Sequence, residues 1–493
     1  MARVQRFEVG GAASVGGRRS VVGRRFLLVA ILLVATALRV IGLDNFPTLQ
    51  GATPPGLEHD EVAHWLINRD ILAGEHAIYF SDAYGHEALY HYAQAYFGAA
   101  VGDHALALRL PSAYLGVLLV AVSYALGRRM FGVRMGLISA AFLAVLFWPV
   151  FYSRLALRAI SLPVLSGLSA WAWWRAFGPI RDCEYRMPNE EASAPSTPLH
   201  HSLAPLHARW LVLSGVLAGL SLHTYMAARA VPIFYALFTI YLALFHHQTF
   251  RVNRRGIAAF WLALAAVALP LVAYLLLNPG AEVRIAEVDA PLRALLAGDP
   301  RPVLENAVKI AGGFAVRGDP LWRQGIAGRP IFDPVLGLLF YAGVALCLWR
   351  WRDQRHAFLL LWLLASVVPS LVTIDAPSTI RMINLLPVLM IYPLLPVQAL
   401  VAAVVEQRRR RESDSTAAVK SIRGQVIHFG PQLSTVWTRL STDFATAIAG
   451  GALILLLLYH AWGTAAGLWR VWPANEEVQF VWQAALTEAA AYL

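Results

Sequence analysis

The chain has 493 residues, of which 58% are apolar and only 14% charged, with a mean hydropathy of +0.54. A soluble globular domain carries roughly 45–50% apolar and about 25% charged residues, so a soluble core is excluded and a polytopic membrane protein is expected. The formal net charge of +11 does not argue for nucleic acid, because the arginines stand between apolar runs rather than on one basic domain.

A basic amino-terminal segment, 1–25, leads into a first apolar run at 26–43. Further runs fall near 107–126, 135–151, 160–177, 210–226, 231–246, 257–277, 334–349, 357–374, 383–404 and 444–462. They predict an all-α polytopic bundle of about eleven spans over 26–462. The runs 135–151 and 160–177 also read as one re-entrant hairpin, and a short turn at Arg229 divides 210–226 from 231–246. Most of the Lys and Arg lie in the amino-terminal segment and in the even-numbered connections. The positive-inside pattern therefore predicts a cytoplasmic amino terminus, with loops 44–106 and 278–333 outside the plasma membrane.

The first run lacks a small-residue cleavage site and reads as a retained span. Connections 178–209 and 406–440 read as flexible and cytoplasmic, and Arg408, Arg409, Arg410 and Arg411 as a topology anchor against anionic lipid. No internal repeat supports an inverted-repeat transporter. Cys183 and Cys347 imply neither a disulfide framework nor a metal centre. A short outer tail, 463–493, closes the chain.

The chemistry is expected in loop 44–106. Asp60 and Glu61 follow the first run closely, and paired carboxylates just outside a span are costly near lipid but easily held in a water-filled site. Val62, Trp65, Leu66, Ile71 and Leu72 suit a short amphipathic helix lying on the membrane, with Asp60 and Glu61 at its amino-terminal end. An Asp there is a base or merely an N-cap. Later in the loop, His86, Glu87 and His91 offer a divalent-metal set, with Glu87 and His91 four apart on one helical face, but no fourth ligand is evident and no cofactor is firmly implied.

Three further segments put arginines at span ends: 152–158 with Arg154 and Arg158, 223–229 with Arg229, and 375–381 with Arg381. An arginine at membrane level wants a carboxylate, a phosphate or a wet cavity, and its planar fork suits a lipid phosphate. The alternative is snorkelling to the interface. Arg158, Arg229 and Arg381 are the candidate phosphate contacts; Tyr84, His86, Glu87, His223 and Tyr225 are the candidate substrate contacts.

Asp60-Glu61 after the first span, Tyr84-Gly85-His86-Glu87, Arg109-Leu110-Pro111-Ser112 opening the second span and Gly127-Arg128-Arg129-Met130-Phe131-Gly132 closing it form an ordered set. With weaker continuations at 222–229 and 316–320, the set resembles the glycosyltransferase family 39-like membrane enzymes of the GT-C superfamily. That group is related to protein O-mannosyltransferases and to the aminoarabinose transferases of lipid A. The resemblance implies a GT-C helical bundle, a polyprenyl-phosphate sugar as donor, transfer at the outer face and inversion at the anomeric carbon. It also implies Asp60 as the general base with Glu61 supporting it, and Arg158 and Arg229 at the lipid phosphate. The absence of a Gly-rich phosphate loop after any predicted strand agrees with a lipid-linked rather than a nucleotide-linked donor.

A soluble outer domain of the protein O-mannosyltransferase kind is missing, so the acceptor stays open between glycan, lipid and protein hydroxyls. The expected function is a membrane glycosyltransferase with lipid-linked donor and membrane lipids as its partners. Its rivals are a lipid-linked sugar flippase and a catalytically idle scaffold for envelope assembly.

Overall fold

The computed structural model describes residues 13–44, 56–81, 84–177, 205–282, 287–422 and 450–483. Cys183 and most of the connections 178–209 and 406–440 lie outside them, as do Asp82 and residues 484–493. The described chain is almost wholly helical, an all-α polytopic architecture.

Every apolar run carries helix. The first long helix, α1, spans Ala13–Val40. Helices α2 (His59–Leu72) and α3 (Leu89–Val101) lie in the first long loop. Then follow α4 (Ala105–Phe131), α5 (Val133–Val145), α6 (Phe147–Tyr152), α7 (Ser161–Ala176), α8 (Pro205–Ser221), α9 (Ala230–Phe245) and α10 (His247–Leu277). Short α11 (Ala290–Leu296) and α12 (Arg301–Gly313) precede α13 (Pro334–Trp349), α14 (Gln354–Leu371) and α15 (Ile391–Ile422). Helix α16 (Gly450–Val471) ends in a π-helical turn, and α17 (Glu476–Val481) follows it.

Five of these helices are long and apolar enough to cross a membrane: α4, the Met226–Phe245 stretch containing α9, α10, α14 and α16. On α10, Leu262, Leu269 and Leu276 are 72%, 64% and 76% exposed, one above another at a seven-residue spacing. A continuous apolar stripe of this kind has no place in water and faces lipid.

The core is built by α4 against α5 and α7, α8 between α7 and α10, and α13 against α15. Close backbone approach makes the last contact: a Cβ on Gly343 of α13 would lie 1.9 Å from the Tyr392 carbonyl oxygen of α15. Aromatic side chains fill the interior, with Trp173, Tyr235 and Phe260 mutually in contact.

Three local expectations need correction. The run 135–151 is not one helix. The backbone turns extended at Leu146, so α5, α6 and α7 are separate. Connection 406–440 starts as helix, because α15 continues to Ile422 through a stretch with no Gly or Pro. Glu87 and His91 do not share a helical face, since Glu87 lies in a two-residue strand and His91 in α3. That strand, β2 (His86–Glu87), pairs antiparallel with β1 (Tyr79–Phe80) in the only sheet among the described residues. Helix α2 buries Glu61, His64, Ile67, Asn68 and Ile71 and leaves Leu66 and Leu72 exposed.

Candidate active site

Helix α2 starts with a capping box that decides the fate of the two carboxylates. The cap is Glu58, whose side chain accepts from the Asp60 N–H at 2.7 Å, while Glu61 reaches back to the Glu58 N–H at 3.3 Å. Asp60 is therefore not the N-cap. Its carboxylate makes no hydrogen bond or ion pair with any described residue, and it lines a cavity of about 930 Å³, mouth included. Burial and the Asp60 charge, opposed by Arg323 and joined by Glu61, push Glu58 up to about 8.

Glu61 has a different place. Fully buried, it takes Arg109 in a two-point clasp, Nε to Oε1 at 2.9 Å and Nη2 to Oε2 at 2.7 Å. Oε1 also accepts from the Ala156 N–H at 3.0 Å. With both oxygens committed, Glu61 fixes the start of α2 against α4 and the loop before α7, and so sets where Asp60 stands.

The arginines sort into three kinds. Arg39 and Arg154 are spent on backbone. Arg154 donates to the carbonyls of Leu38, Ile41 and Gly42 at the end of α1, and Arg39 to those of Leu143 and Ala144 at the end of α5. Arg229 is ion-paired with Glu282 and does not line the cavity. Arg158 and Arg381 do line it. Arg158 donates to Glu87 at 3.0 Å and to the Gly85 carbonyl at 3.2 Å, and lies over the Tyr225 ring. Gly85 holds a positive φ of 94° at the β1–β2 turn, and a Cβ there would strike the Tyr79 hydroxyl at 2.2 Å, so the approach of this carbonyl depends on glycine.

Arg381 donates to the Thr373 hydroxyl at 3.0 Å and to the Ile374 carbonyl. Its charge also acts on Asp319, whose carboxylate accepts from the Thr379 N–H and hydroxyl at 2.7 and 2.8 Å and is raised by burial.

Of the other expected contacts, Tyr84, His86 and Tyr225 line the cavity. Glu87 backs it through Arg158. His223 does not reach it, its ring being bonded to the Val267 carbonyl at 2.9 Å. Two cavity residues had no sequence signal. Arg323, from the loop before α13, stands 3.3 Å from His59 and 3.9 Å from Glu58. Trp482, after α17, is fully buried, its indole N–H has no partner among the described residues, and it walls the cavity.

Two clusters among the described residues are spaced to hold a cation: Glu58, His59 and Asp60 at the cavity, and His64, His86 and His91 behind it. Burial and the Arg158 charge lower His64 to about 3, and burial keeps His91 well below its ordinary range, so both rings are neutral.

No protein-family model matches the chain, and no curated protein does. Solved structures do. The oligosaccharyltransferase AglB of Archaeoglobus fulgidus, in complex with an inhibitory peptide and a dolichol-phosphate, aligns with a TM-score of 0.54 at 16% identity, covering 90% of this chain and 56% of the archaeal one. The same enzyme tethered to an acceptor peptide gives 0.52 at 15% identity, over 90% and 55%. ArnT of Cupriavidus metallidurans bound to undecaprenyl phosphate gives 0.49 at 15% identity, over 95% and 78%. The chain thus shares the fold of the archaeal oligosaccharyltransferase and spans about 56% of its length.

Proposed function

We propose that the chain is a membrane glycosyltransferase that moves a sugar from a polyprenyl-phosphate donor to a hydroxyl acceptor at the outer face of the plasma membrane, with inversion. The observation that carries this reading is the placement of the Asp60 carboxylate, free of side-chain partners among the described residues, in one cavity with Arg158, Arg323 and Arg381. The shared fold of a protein solved with dolichol-phosphate supports a lipid-linked donor.

In the proposed reaction the acceptor hydroxyl gives its proton to Asp60 as its oxygen attacks the anomeric carbon. The bond from that carbon to the phosphate oxygen breaks on the opposite side, and the polyprenyl phosphate leaves carrying the electron pair. Arg158, Arg323 and Arg381 offset the charge that develops on the leaving group, an effect strongest where water is excluded. Glu61 and Arg109 act as positioning residues by holding the first turn of α2. Glu58, His59 and Asp60 would hold a divalent cation if one is required; bound there, it would supply further compensation of phosphate charge.

The test is to incubate purified protein with a panel of radiolabelled polyprenyl-phosphate sugars and an acceptor-containing membrane extract. Labelled product of inverted anomeric configuration, with release of the polyprenyl phosphate, is expected. Movement of intact donor between leaflets without release of sugar would identify a flippase instead.

A further inference from the structure

Behind the cavity wall, three histidines from three elements converge: His64 on α2, His86 on β2 and His91 on α3. All are buried, at 0%, 5% and 0% exposure. One ring nitrogen of each lies within 4.8 Å of the others, and the nearest pair, His86 Nδ1 and His91 Nε2, is 3.0 Å apart. Phe80 lies edge-on to the His91 ring.

The tautomer of His64 follows from its neighbour. Gln94 donates through Nε2 to the Leu108 carbonyl at 2.6 Å, which turns its Oε1 toward His64 Nδ1 at 3.1 Å and Asn68 Nδ2 at 3.0 Å. An amide oxygen accepts only, so His64 Nδ1 carries the hydrogen and Nε2 is left with a bare lone pair. That Nε2 is buried with no partner among the described residues, and so is Nδ1 of His91. Buried polar atoms are almost always satisfied, and a bare, buried lone pair on a ring packed against two further imidazoles calls for an unseen partner. A histidine whose one nitrogen is fixed by an acceptor while the other stands bare has the arrangement of a metal ligand.

We propose that His64, His86 and His91 form a zinc site that ties α2, β2 and α3 together behind the sugar-transfer cavity. Neutral imidazoles suit zinc and its transition-metal neighbours rather than magnesium or calcium, which take oxygen. Zinc–nitrogen bonds of about 2.0–2.1 Å in a tetrahedron space the donors by about 3.3 Å. His86 Nδ1 and His91 Nε2, hydrogen-bonded to each other at 3.0 Å, are near this spacing and would exchange that bond for the ion, and the remaining distances would close by up to about 1.5 Å. A fourth position would take water or a group from the cavity that His86 lines. The Arg158 guanidinium is the nearby positive charge, and it is countered by Glu87; the Asp60 charge also acts on His64.

The site differs from the set expected from sequence, in which Glu87 was a ligand. Here Glu87 belongs to Arg158 and His64 takes its place. The role is that of a brace: the ion would fix the helix whose first turn bears Asp60 and Glu61. The inference does not depend on the transferase reading.

The experiment uses the full-length protein in detergent, purified without chelator, and measures bound metal by mass spectrometry before and after equilibration with zinc. About one zinc per chain is expected, together with a fall in thermal midpoint on treatment with a chelator and its recovery on adding zinc back. Cobalt(II) loaded into the stripped protein should give the intense visible bands of a four-coordinate site. The His64→Gln and His91→Phe variants should each lose most of the zinc, whereas Asp60→Asn should keep it. Wild-type protein with less than about a tenth of an equivalent after zinc equilibration would overturn the proposal without need of any variant. So would full retention of zinc in both histidine variants, and loss of zinc in Asp60→Asn would move the ion to the Glu58, His59 and Asp60 cluster.

Discussion

Arg109 and Glu61 meet in parallel, two nitrogens on two oxygens at 2.9 and 2.7 Å, with neither side chain exposed to solvent. The pair joins the opening turn of α2 to α4, and Arg109 also donates to the Leu43 carbonyl at 3.2 Å, tying in the turn just past the end of α1. Removing one partner of such a pair leaves the other charge buried alone, at about 3–5 kcal/mol. Glu61→Gln should therefore lower stability by that order, seen as an earlier thermal transition in detergent. Activity should fall with it, through loss of the position of Asp60. A Glu61→Gln chain as stable as the parent but inactive would show that Glu61 touches substrate instead.

The arginines should separate by their places. Arg158→Lys and Arg381→Lys keep a charge in the cavity but lose the planar fork. Donor binding should weaken by about 1–3 kcal/mol, the scale of a charge-assisted hydrogen bond lost. Arg229→Lys should leave donor affinity unchanged, since Arg229 pairs with Glu282 away from the cavity. Titration of each variant with a fluorescent polyprenyl phosphate checks the ordering, and equal losses at Arg229 and Arg158 would contradict it.

Glu58 makes stability fall toward alkaline pH. Its value rises from the ordinary 4.5 to about 8 on folding, chiefly through burial. The folded chain thus binds more protons than the unfolded between those limits, so the stabilisation is full below about pH 4.5 and is lost as pH rises toward 8. Glu58→Gln keeps a side-chain acceptor for the Asp60 N–H and removes the titration. Its thermal midpoint should vary less than the parent's across that window; an unchanged slope would assign the effect to another group.

Much of this was legible in the sequence, and the limits are physical. Hydropathy located the helices because a lipid-facing stripe such as Leu262, Leu269 and Leu276 has to be apolar whatever it packs against. The order of Asp60-Glu61, Tyr84 to Glu87 and Arg109 carried the fold. The division of labour within Asp60-Glu61 was not legible, because it rests on a buried partner 48 residues away. Nor could spacing tell Arg154, spent on the carbonyls ending α1, from Arg158, four residues on and in the cavity. Glu58 caps α2 although a capping box ordinarily opens with Ser or Thr, so the sequence carried only the Glu61 half of that pattern and favoured Asp60 as the cap. Trp482 had no sequence signal, since only the tertiary fold brings it to the site.

This residue gives a further prediction. Trp482 packs edge-on to Trp472, whose indole donates to the Trp322 carbonyl at 2.7 Å, while the Trp482 N–H has no partner among the described residues. Trp482→Phe keeps an aromatic ring and removes one donor from the cavity wall. If substrate supplies the missing acceptor, KM should rise by about tenfold, the worth of one hydrogen bond at about 1 ± 0.5 kcal/mol or somewhat more, with little change in thermal midpoint. An unchanged KM would make Trp482 a packing residue.

If Asp60 takes the proton, comparing Asp60→Asn with the parent for both sugar transfer and donor binding reveals it. Asn is nearly isosteric, and the helix cap belongs to Glu58, so folding should be unaffected. A general base contributes on the order of 10²–10⁴ in rate. Transfer should fall by that factor while the polyprenyl-phosphate donor binds as before. Transfer at the parent rate by Asp60→Asn would contradict the account.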